Sequence, residues 1–366
     1  MTHKQSIDKF FLINFAVIIF LGLIIFFSAS LGLLARDGAR FGSVVSSQIG
    51  LGVLIGGFTA FLISNLSYKK LGKYSCSIWI FSVILTFSVF IPQLGFAHGG
   101  ARRWISLFGF TLQPAEFLKI GYIIFLSAWL SKNKSEIKTF KKGFLPFVVI
   151  TAISALPLVL QPDMGTILLM LGAGFGIYFI SGASWKHIGL FLLLSVIAGG
   201  IFLFFKPYAL DRMLTFMDPG RDPLGSGYQI QQSLIAVGSG GLSGRGIGQS
   251  IQKFNYLPEP YGDSIFAIVG EEFGFIGSSI LVILFSLLLI RGFILGIRIK
   301  EHFPSILIFG LLMLIVGQSF SNMGAILSIL PLDGMPLIFI SHGGTAMFFS
   351  LVSIGIILSI SKTVKQ

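Results

Sequence analysis

Four carboxylates lie in the stretch from residue 253 to residue 274, which reads KFNYLPEPYGDSIFAIVGEEFG, and three of them stand at or inside an apolar helix. Asp263 stands where a polar loop meets an apolar helix, and Glu271 and Glu272 lie inside that helix. A carboxylate placed like Asp263 could take a proton from an attacking hydroxyl as a general base, or simply cap the helix. If the helix starts at Asp263, Glu271 lies about 12 Å deeper. We therefore expect Glu271 and Glu272 to bond to neighbouring helices or to line a cavity floor.

Basic residues near the same loops could hold a phosphate, because guanidinium groups suit phosphate oxygens. Arg102 and Arg103 precede Trp104, so they could also anchor the chain at a membrane interface. A local ion-pair network is the expected role of four charged residues in LDRMLTFMDPGRDPLGSGYQ, namely Arg212, Asp218, Arg221 and Asp222. The further basic candidates for a substrate phosphate are Lys119, Arg212, Arg245 and Lys253.

Two further acids have both a structural and a functional interpretation. Glu116 and Lys119 are three residues apart on a predicted helix, so they could pair with each other or line a cavity. Asp163 in QPDMGT could cap the helix that follows it, with Thr166 completing the turn. We keep Glu116 and Asp163 as cavity candidates.

The elements that must position these residues are membrane spans. The chain has 366 residues, of which 54% are hydrophobic and only 11% charged, whereas soluble domains carry about 25% charge. We predict an all-α polytopic membrane protein that forms one domain, 1–366, with a long extracytoplasmic segment, 206–262, between the seventh and eighth spans. Spans need about 20 apolar residues. Ten segments qualify: 10–34, 43–66, 76–95, 114–131, 144–160, 164–182, 188–205, 264–290, 303–329 and 342–361.

The charge distribution predicts the orientation. With both termini cytoplasmic, 16 of the 26 Lys and Arg residues fall on the inner side, and only three of the 14 acids do. Positive charge concentrates on cytoplasmic loops, where it faces anionic lipid headgroups. The net charge of +12 is thus a topology signal that favours membrane lipid as the partner and argues against nucleic acid. The single Cys76 excludes an intramolecular disulfide.

Six collinear motifs resemble the SEDS family of bacterial cell-wall polymerases, which includes FtsW, RodA and SpoVE. The resemblance covers nearly the whole chain, and the first motif together with GQSIQKFNYLPEP at 248–260 is more similar to the FtsW and SpoVE branch. The motifs are GARRWI at 100–105, QPAEFLK at 113–119, QPDMGT at 161–166, GYQIQQSLIAVGSGG at 227–241, YLPEPYGDSIFAIVGEEFGFIG at 256–277 and NMGAILSILPLDGMPLIFISHGG at 322–344.

The resemblance implies polymerisation of lipid II into glycan strands at the outer face of the bacterial cytoplasmic membrane, for cell division. The growing glycan would pass from undecaprenyl pyrophosphate to the 4-hydroxyl of the next lipid-linked disaccharide, with Asp263 as the base. Pyrophosphate is a good leaving group, so positive charge is needed rather than a general acid. The basic candidates or a divalent cation, Mg²⁺ or Mn²⁺, would supply that charge, and no organic cofactor is expected. Ser341 in the last motif is a further cavity candidate.

The chain departs from the family pattern at several positions. The usual HTDF around the acid is Tyr261-Gly262-Asp263-Ser264 here, and the usual PLPFISYGGSS has Ile338, His342 and Thr345. A basic or neutral residue is common where Asp333 stands. The Asp at 263 itself is retained.

The resemblance also implies a partner, a class B penicillin-binding protein that supplies transpeptidase activity, together with other division proteins. Three alternatives stay open: a RodA-like elongation polymerase, a transporter that flips lipid-linked precursors, and a non-catalytic scaffold. Transporters often contain inverted repeats with a midplane site. This sequence has no evident repeat, and its polar residues crowd one face.

Overall fold

The computed structural model describes residues 7–98, 101–107, 110–222, 225–254 and 256–363. Helices dominate this part of the chain, and several begin at the capping residues that sequence rules favour. Asp8 accepts a hydrogen bond from the amide of Phe11, and Asp163 accepts one from the amide of Thr166. The α-helices are α1 Lys9–Arg36, α2 Gly38–Ser46, α3 Gly56–Asn65, α4 Tyr68–Lys73, α5 Ser75–Phe87, α6 Pro114–Lys132, α7 Leu145–Leu160, α8 Met164–Ile180, α9 Trp185–Phe205, α10 Pro207–Met217, α11 Ser226–Ser239, α12 Ile265–Arg298, α13 His302–Ile326 and α14 Gly344–Ser361.

Within the described residues, seven stretches are long and apolar enough to cross a membrane, which agrees with the predicted membrane class. They comprise Lys9–Arg36, Gly38–Asn65, Phe140–Leu160, Trp185–Phe205, Ile265–Arg298, His302–Ile326 and Gly344–Ser361. The other three predicted spans correspond to α5, α6 and α8, so the total of ten crossings stays a prediction. The predicted turn between the fifth and sixth spans is confirmed, because α7 ends at Leu160 and α8 begins at Met164.

Helices α13 and α14 form the centre of the bundle. In their most apolar windows 72% and 89% of the residues are buried, against 11% for α9. Helix α13 packs against α6, α8, α12 and α14. These central helices therefore fix the positions of the polar loops that join the ends of α12, α13 and α14.

Residues 95–98, 101–107 and 110–112 form a three-stranded antiparallel sheet in a region that the sequence interpretation treated as a loop. Strands β1 Gly95–His98, β2 Ala101–Leu107 and β3 Phe110–Leu112 lie in the order β1-β2-β3. The third predicted span, 76–95, consequently ends early, with α5 stopping at Phe87. Aromatic and β-branched side chains such as Trp104 and Ile105 favour strands. The strands were not predicted because the long apolar segments on both sides dominated the interpretation of this region.

Two helices depart from regular geometry. A π-helical stretch, Ser47–Ile55, joins α2 to α3 within one continuous span. Helix α12 extends to Arg298, beyond the predicted end at residue 290, and it is interrupted at Gly274 (φ 65°, ψ −163°). Both irregularities contact loops at the same end of the bundle as Asp263.

Candidate active site

Asp263 lies in the turn that leads into α12, two residues before the helix begins at Ile265. The N-cap position belongs to Ser264, so the alternative that Asp263 caps the helix is wrong. The turn is closed by the Glu259 carbonyl, which accepts hydrogen bonds from the amides of Gly262 and Ser264 at 3.0 and 3.2 Å. This tight turn takes Asp263 out of the helix and leaves its carboxylate partly exposed.

The Asp263 carboxylate faces a small cavity that loops and helix ends from four parts of the chain enclose. We call this the Asp263 cavity. Its lining combines two carboxylates, one guanidinium and two carboxamides with apolar side chains. The lining residues are Arg212, Gln229, Asp263, Asn322, Ala325, Ile326, Leu332, Asp333 and Gly334.

The surroundings of Asp263 favour the protonated form more than water does. Burial is the main cause that raises the pKa of Asp263 to about 6, and the negative charges of Asp333 and Glu259 act in the same direction. The guanidinium groups of Arg212 and Arg103 oppose them. A carboxylate with a pKa near neutrality is a better proton acceptor than a solvent-exposed Asp.

Asp333 is the second carboxylate of the cavity, and the sequence interpretation noted it only as a departure from the family pattern. Its oxygens accept hydrogen bonds from the Ser321 hydroxyl at 2.6 Å and the Met335 amide at 3.1 Å. The next residue, Gly334, has a φ of +69°, and a Cβ there would lie 3.4 Å from Asp263 Oδ2. The positive φ favours glycine at this position, and the loop that contains it lies against the Asp263 carboxylate.

Asn322 connects the Asp263 turn to the Asp333 loop. Its amide nitrogen donates to the carbonyl oxygens of Asp263 and Met335 at 2.7 and 2.8 Å. The side chain is buried, and its Oδ1 has no hydrogen-bond partner among the described residues. Sequence reasoning missed Asn322, although a polar residue within a predicted span is a recognised signal of function.

Arg212 is the basic candidate that the structure brings to Asp263. It enters the cavity from α10, where its Nη1 donates to the Leu332 carbonyl at 3.1 Å and its guanidinium lies 4.7 Å from the ring centre of Tyr208. No ion pair joins Arg212 to Asp218 among the described residues, and Asp218 instead accepts a hydrogen bond from the Gly220 amide. Arg212 therefore remains available for an anionic ligand.

Arg103 and Arg102 have different surroundings although they are adjacent on β2. Arg103 donates to the carbonyls of Gln161 and Pro162, which form the turn between α7 and α8. Asp163 in that turn is 4% exposed and caps α8, which agrees with its structural interpretation. Arg102 is exposed. Arg103 is thus fixed near the site, and Asp163 is outside the lining of the Asp263 cavity.

Glu116 and Lys119 form a buried pair, with 2.9 Å between Nζ and the carboxylate. Lys119 also donates to Gln318 Oε1 at 2.7 Å, and Gln318 in turn donates to the Pro336 carbonyl at 3.0 Å. These three side chains line a separate small cavity. The pair therefore supports the loop after α13 rather than the carboxylate of Asp263.

The loop that follows α11 fills the interruption of α12. Because Gly274 breaks the helix, backbone groups on both sides lose their helical partners. The amides of Arg245 and Gly246 donate to the carbonyls of Glu271 and Glu272 at 3.0 Å, and the amide of Phe275 donates to the Gly241 carbonyl at 2.9 Å. The loop and the broken helix thus form one hydrogen-bonded unit.

Lys253 and Arg245 belong to this unit. The prediction that Lys253 binds the pyrophosphate is wrong, and the structure gives no support to the same prediction for Arg245. Lys253 Nζ lies 2.6 Å from Glu272 Oε1, and both side chains are fully buried. Arg245 Nε lies 3.8 Å from Glu271. A lysine that neutralises a buried carboxylate has no access to a substrate.

Glu271 and Glu272 are both buried and bonded, as the sequence interpretation expected in part. Glu272 accepts a hydrogen bond from Ser28 of α1 at 2.5 Å. Glu271 accepts from the Ser250 hydroxyl and from the Ile251 amide at 3.0 Å. The alternative that Glu271 lines the cavity is wrong, because the loop covers it and it is absent from the Asp263 cavity lining.

A turn before α14 supports the Asp263 turn from behind. The Ser341 hydroxyl accepts a hydrogen bond from the Leu337 amide at 2.8 Å, so Ser341 closes the turn and does not line the cavity. The His342 amide donates to the Tyr261 carbonyl at 2.7 Å. Gln48 of the π-helical stretch donates to the Ser341 carbonyl at 2.9 Å and accepts from the Gly343 amide at 3.0 Å.

The donor set of the Asp263 cavity is compatible with a hard divalent cation. Asp263, Asp333 and Asn322 Oδ1 offer oxygen atoms, which Mg²⁺ and Mn²⁺ prefer. No cluster of three His, Cys, Asp or Glu side chains suited to a metal occurs in the described ranges. Any cation here would therefore complete its coordination with water and phosphate oxygens, as Mg²⁺ commonly does.

The fold and this cavity define a class: a helical membrane protein with a polar, carboxylate-containing cavity where its loops converge. The sequence profile of the family of FtsW, RodA and SpoVE, described as "Cell cycle protein", matches residues 8–366. The chain belongs to this family.

Individual relatives agree with this assignment. Stage V sporulation protein E of Bacillus subtilis (strain 168) is 36% identical, covering 99% of this chain and 98% of the relative. The probable peptidoglycan glycosyltransferase FtsW of Pasteurella multocida (strain Pm70) is 34% identical, covering 96% and 90%.

Solved structures share the fold. A chain from a peptidoglycan synthase complex, studied for its structural coordination of polymerization and crosslinking, is 27% identical with a TM-score of 0.80 over 97% of this chain and 98% of that chain. The rod shape determining protein RodA of Thermus thermophilus has a TM-score of 0.71 over 99% of this chain and 98% of that chain. At 24% identity, RodA supports the fold alone.

Proposed function

We propose that this protein is a peptidoglycan glycosyltransferase that polymerises lipid II, with Asp263 as the general base. The observation that carries the proposal is the partly buried Asp263 carboxylate, with a pKa of about 6, in a cavity that also contains Arg212. Relatives named FtsW and covering most of the chain support the same activity.

The proposed reaction forms one bond and breaks one bond. The 4-hydroxyl oxygen of the lipid II sugar attacks the anomeric carbon of the glycan, while the bond from that carbon to pyrophosphate breaks. The electron pair leaves with the undecaprenyl pyrophosphate, and the hydroxyl proton moves to Asp263. One carboxylate is sufficient, because pyrophosphate needs no proton to depart, unlike the sugar leaving groups of glycoside hydrolases.

Arg212 is suited to the leaving group. Its guanidinium lines the same cavity as Asp263, and the contacts with Leu332 and Tyr208 orient it without neutralising its charge. Fixed positive charge aimed at a developing anion stabilises the transition state more than the ground state. Arg103, fixed by the turn between α7 and α8, adds positive potential nearby. A divalent cation, when bound, supplies further positive charge at the pyrophosphate.

The membrane setting follows from the charge distribution. The protein would lie in the bacterial cytoplasmic membrane with both termini in the cytoplasm and the Asp263 cavity on the outer side. The segments that carry Asp263, Asp333 and Arg212 meet at one cavity. In the predicted topology these segments lie on the outer side of the membrane, where all but three of the 14 acids fall, and this supports the orientation. Lipid II and the undecaprenyl-linked glycan would then reach the cavity from the outer leaflet.

The solved synthase complex suggests how the product is used. Because a chain with the same fold occurs in a complex that coordinates polymerization and crosslinking, this protein would act beside a class B penicillin-binding transpeptidase and other division proteins. The 36% and 34% identities with the stage V sporulation and FtsW relatives favour the FtsW-like branch.

The decisive experiment is lipid II polymerisation by the purified protein in proteoliposomes. Wild type should form glycan strands, while Asp263→Asn should bind lipid II and lose at least about 100-fold in rate, the usual contribution of a general base. Asp211→Asn is the matched control, because Asp211 is an exposed acid on the same helix as Arg212. Normal polymerisation by Asp263→Asn would refute the assignment. Translocation of labelled lipid II without any polymer would favour a transporter.

A further inference from the structure

Two departures from the family pattern, at residues 261 and 342, amount to an exchange of the same two ring types. The pattern has His in HTDF where this chain has Tyr261, and Tyr in PLPFISYGGSS where this chain has His342. The two positions belong to different motifs that are far apart in the chain. The proposed reaction uses neither side chain.

The structure brings these two side chains into contact. The ring centres of Tyr261 and His342 are 5.9 Å apart and the ring planes are inclined at 64°, an edge-to-face arrangement that aromatic rings prefer to direct stacking. The His342 amide also donates to the Tyr261 carbonyl at 2.7 Å. Tyr261 is 6% exposed, so its ring lies in the protein interior. The exchange therefore keeps one phenol and one imidazole within a single contact.

Close packing explains why the two departures occur together. Side chains in protein interiors are packed tightly, and substitutions that conserve the total volume are tolerated best. A change at residue 342 alone would place two phenols in this contact and overfill it, and a change at residue 261 alone would place two imidazoles there and leave a gap. The two departures are thus compensating changes at one contact.

The segment that leads to the proposed base needs support from other parts of the chain. Pro258 and Pro260 have no amide N–H to donate, and Glu259 has a φ of +45°, which is uncommon for a residue other than glycine. Tyr261 follows this segment directly. Its contact with His342 therefore joins the Asp263 turn to the turn before α14.

We propose that Tyr261 and His342 are positioning residues that act as one pair, and that their ring contact fixes the Asp263 turn for proton transfer. Neither side chain touches the reacting atoms, and both act through the backbone of the turn. A small displacement of a reacting group lowers the rate of the chemical step. Loss of the contact should therefore lower kcat rather than raise KM. This inference rests on the proposed function for its kinetic readout.

A reciprocal exchange of the two residues tests the pair. Tyr261→His and His342→Tyr should each lower kcat for lipid II polymerisation at least about tenfold, with KM changed less than about threefold. The double variant Tyr261→His with His342→Tyr restores the combined volume. Its kcat should return to within about threefold of wild type, because substitutions of residues in contact are not additive. All rates are measured well below the lowest Tm of the set.

The matched control is His187→Tyr, the same substitution at a similar contact elsewhere. The His187 ring meets the Phe140 ring edge to face, with 6.3 Å between the ring centres and 62° between the planes. His187 is outside the lining of the Asp263 cavity. This variant should keep the wild-type kcat even if its Tm falls. Equal losses of kcat in His187→Tyr and His342→Tyr would show general destabilisation and overturn the positioning role.

Thermal unfolding of the same variants gives a readout that needs no turnover. The double variant should recover the Tm that each single variant loses. Additive losses of Tm or of kcat, or single variants that keep the wild-type kcat, would overturn the pair. If wild type forms no polymer, the proposed function fails, whereas recovery or additivity of Tm still decides whether the two rings act together.

A second comparison applies if the double variant does not purify as a monodisperse protein. Tyr261→Phe keeps the ring and should retain most of kcat, whereas Tyr261→Leu removes the ring and should lower kcat at least about tenfold. Equal kcat values in these two variants would overturn the proposal.

Discussion

Lys253 and Glu272 form an ion pair from which water is excluded, with 2.6 Å between Nζ and Oε1. The pair joins the loop after α11 to the last helical turn before the break at Gly274. Ser28 of α1 donates to the same carboxylate, so three segments meet at one buried charge. The Asp263 turn follows this loop directly, and its position therefore depends on the pair.

Loss of one partner should be strongly destabilising. Lys253→Met leaves Glu272 buried without a counter-charge, which costs about 3–5 kcal/mol for a buried pair. Thermal unfolding in detergent should show a large fall in Tm for this variant. The double variant Lys253→Met with Glu272→Leu should recover most of it, because no charge then remains buried.

The exposed pair of Lys142 and Glu136, 2.8 Å apart, is the control for this experiment. Lys142→Met should leave Tm nearly unchanged, because surface pairs contribute little to stability. Equal effects of Lys253→Met and Lys142→Met on Tm would contradict the structural role of Lys253. A normal Tm with lost lipid II binding would restore Lys253 as a substrate ligand.

Hydropathy was sufficient to predict the helical membrane class and the approximate position of each apolar segment. A run of apolar residues must be helical in a bilayer, because every backbone group needs an internal partner. The sequence also predicted that Asp263 lies at the end of a span, because the prolines and the glycine that precede it do not favour a helix. These are local properties, and a sequence displays them directly.

Contacts between distant segments could not be predicted in this way. Asp333 is 70 residues from Asp263 in the chain, and only the packing of α13 against α12 brings the two loops to one cavity. The interruption at Gly274 had a signal, a glycine inside a helical pattern. The loop that fills it had none, so Lys253 and Arg245 were assigned to the substrate by charge alone.

Gln48 should position the proposed base indirectly. It holds both sides of the turn at residues 341–343, and the amide of His342 in that turn donates to the Tyr261 carbonyl, two residues before Asp263. Gln48→Leu keeps a similar volume and loses both hydrogen bonds. We expect kcat for polymerisation to fall about tenfold with little change in KM, because a small displacement of a reacting group lowers the rate.

The control for Gln48 is Gln249→Leu, the same substitution at an exposed position in the outer loop. Gln48→Glu keeps the acceptor for the Gly343 amide and should recover part of kcat. A fall in Tm without any change in kcat, or no recovery by the Glu variant, would show that Gln48 has only a structural role.

The pH dependence of polymerisation should reflect the pKa of Asp263. A general base acts in its deprotonated form, so kcat/KM should be constant above the pKa of about 6 and fall as the pH decreases through that value. Burial is the largest cause of the raised pKa of Asp263, and the negative charge of Glu259 also raises it. Glu259 is exposed and can be replaced without disturbing the core.

Glu259→Gln removes one negative charge near Asp263, so the decline in kcat/KM should move to lower pH by a few tenths of a unit, the size expected for a solvent-screened charge. Asp211→Asn, an exposed acid on α10 outside the lining of the Asp263 cavity, should leave the profile unchanged. Profiles measured at constant ionic strength and saturating Mg²⁺ make the comparison direct. A decline that stays at the same pH in Glu259→Gln, or that moves to higher pH, would indicate that a group other than Asp263 accepts the proton.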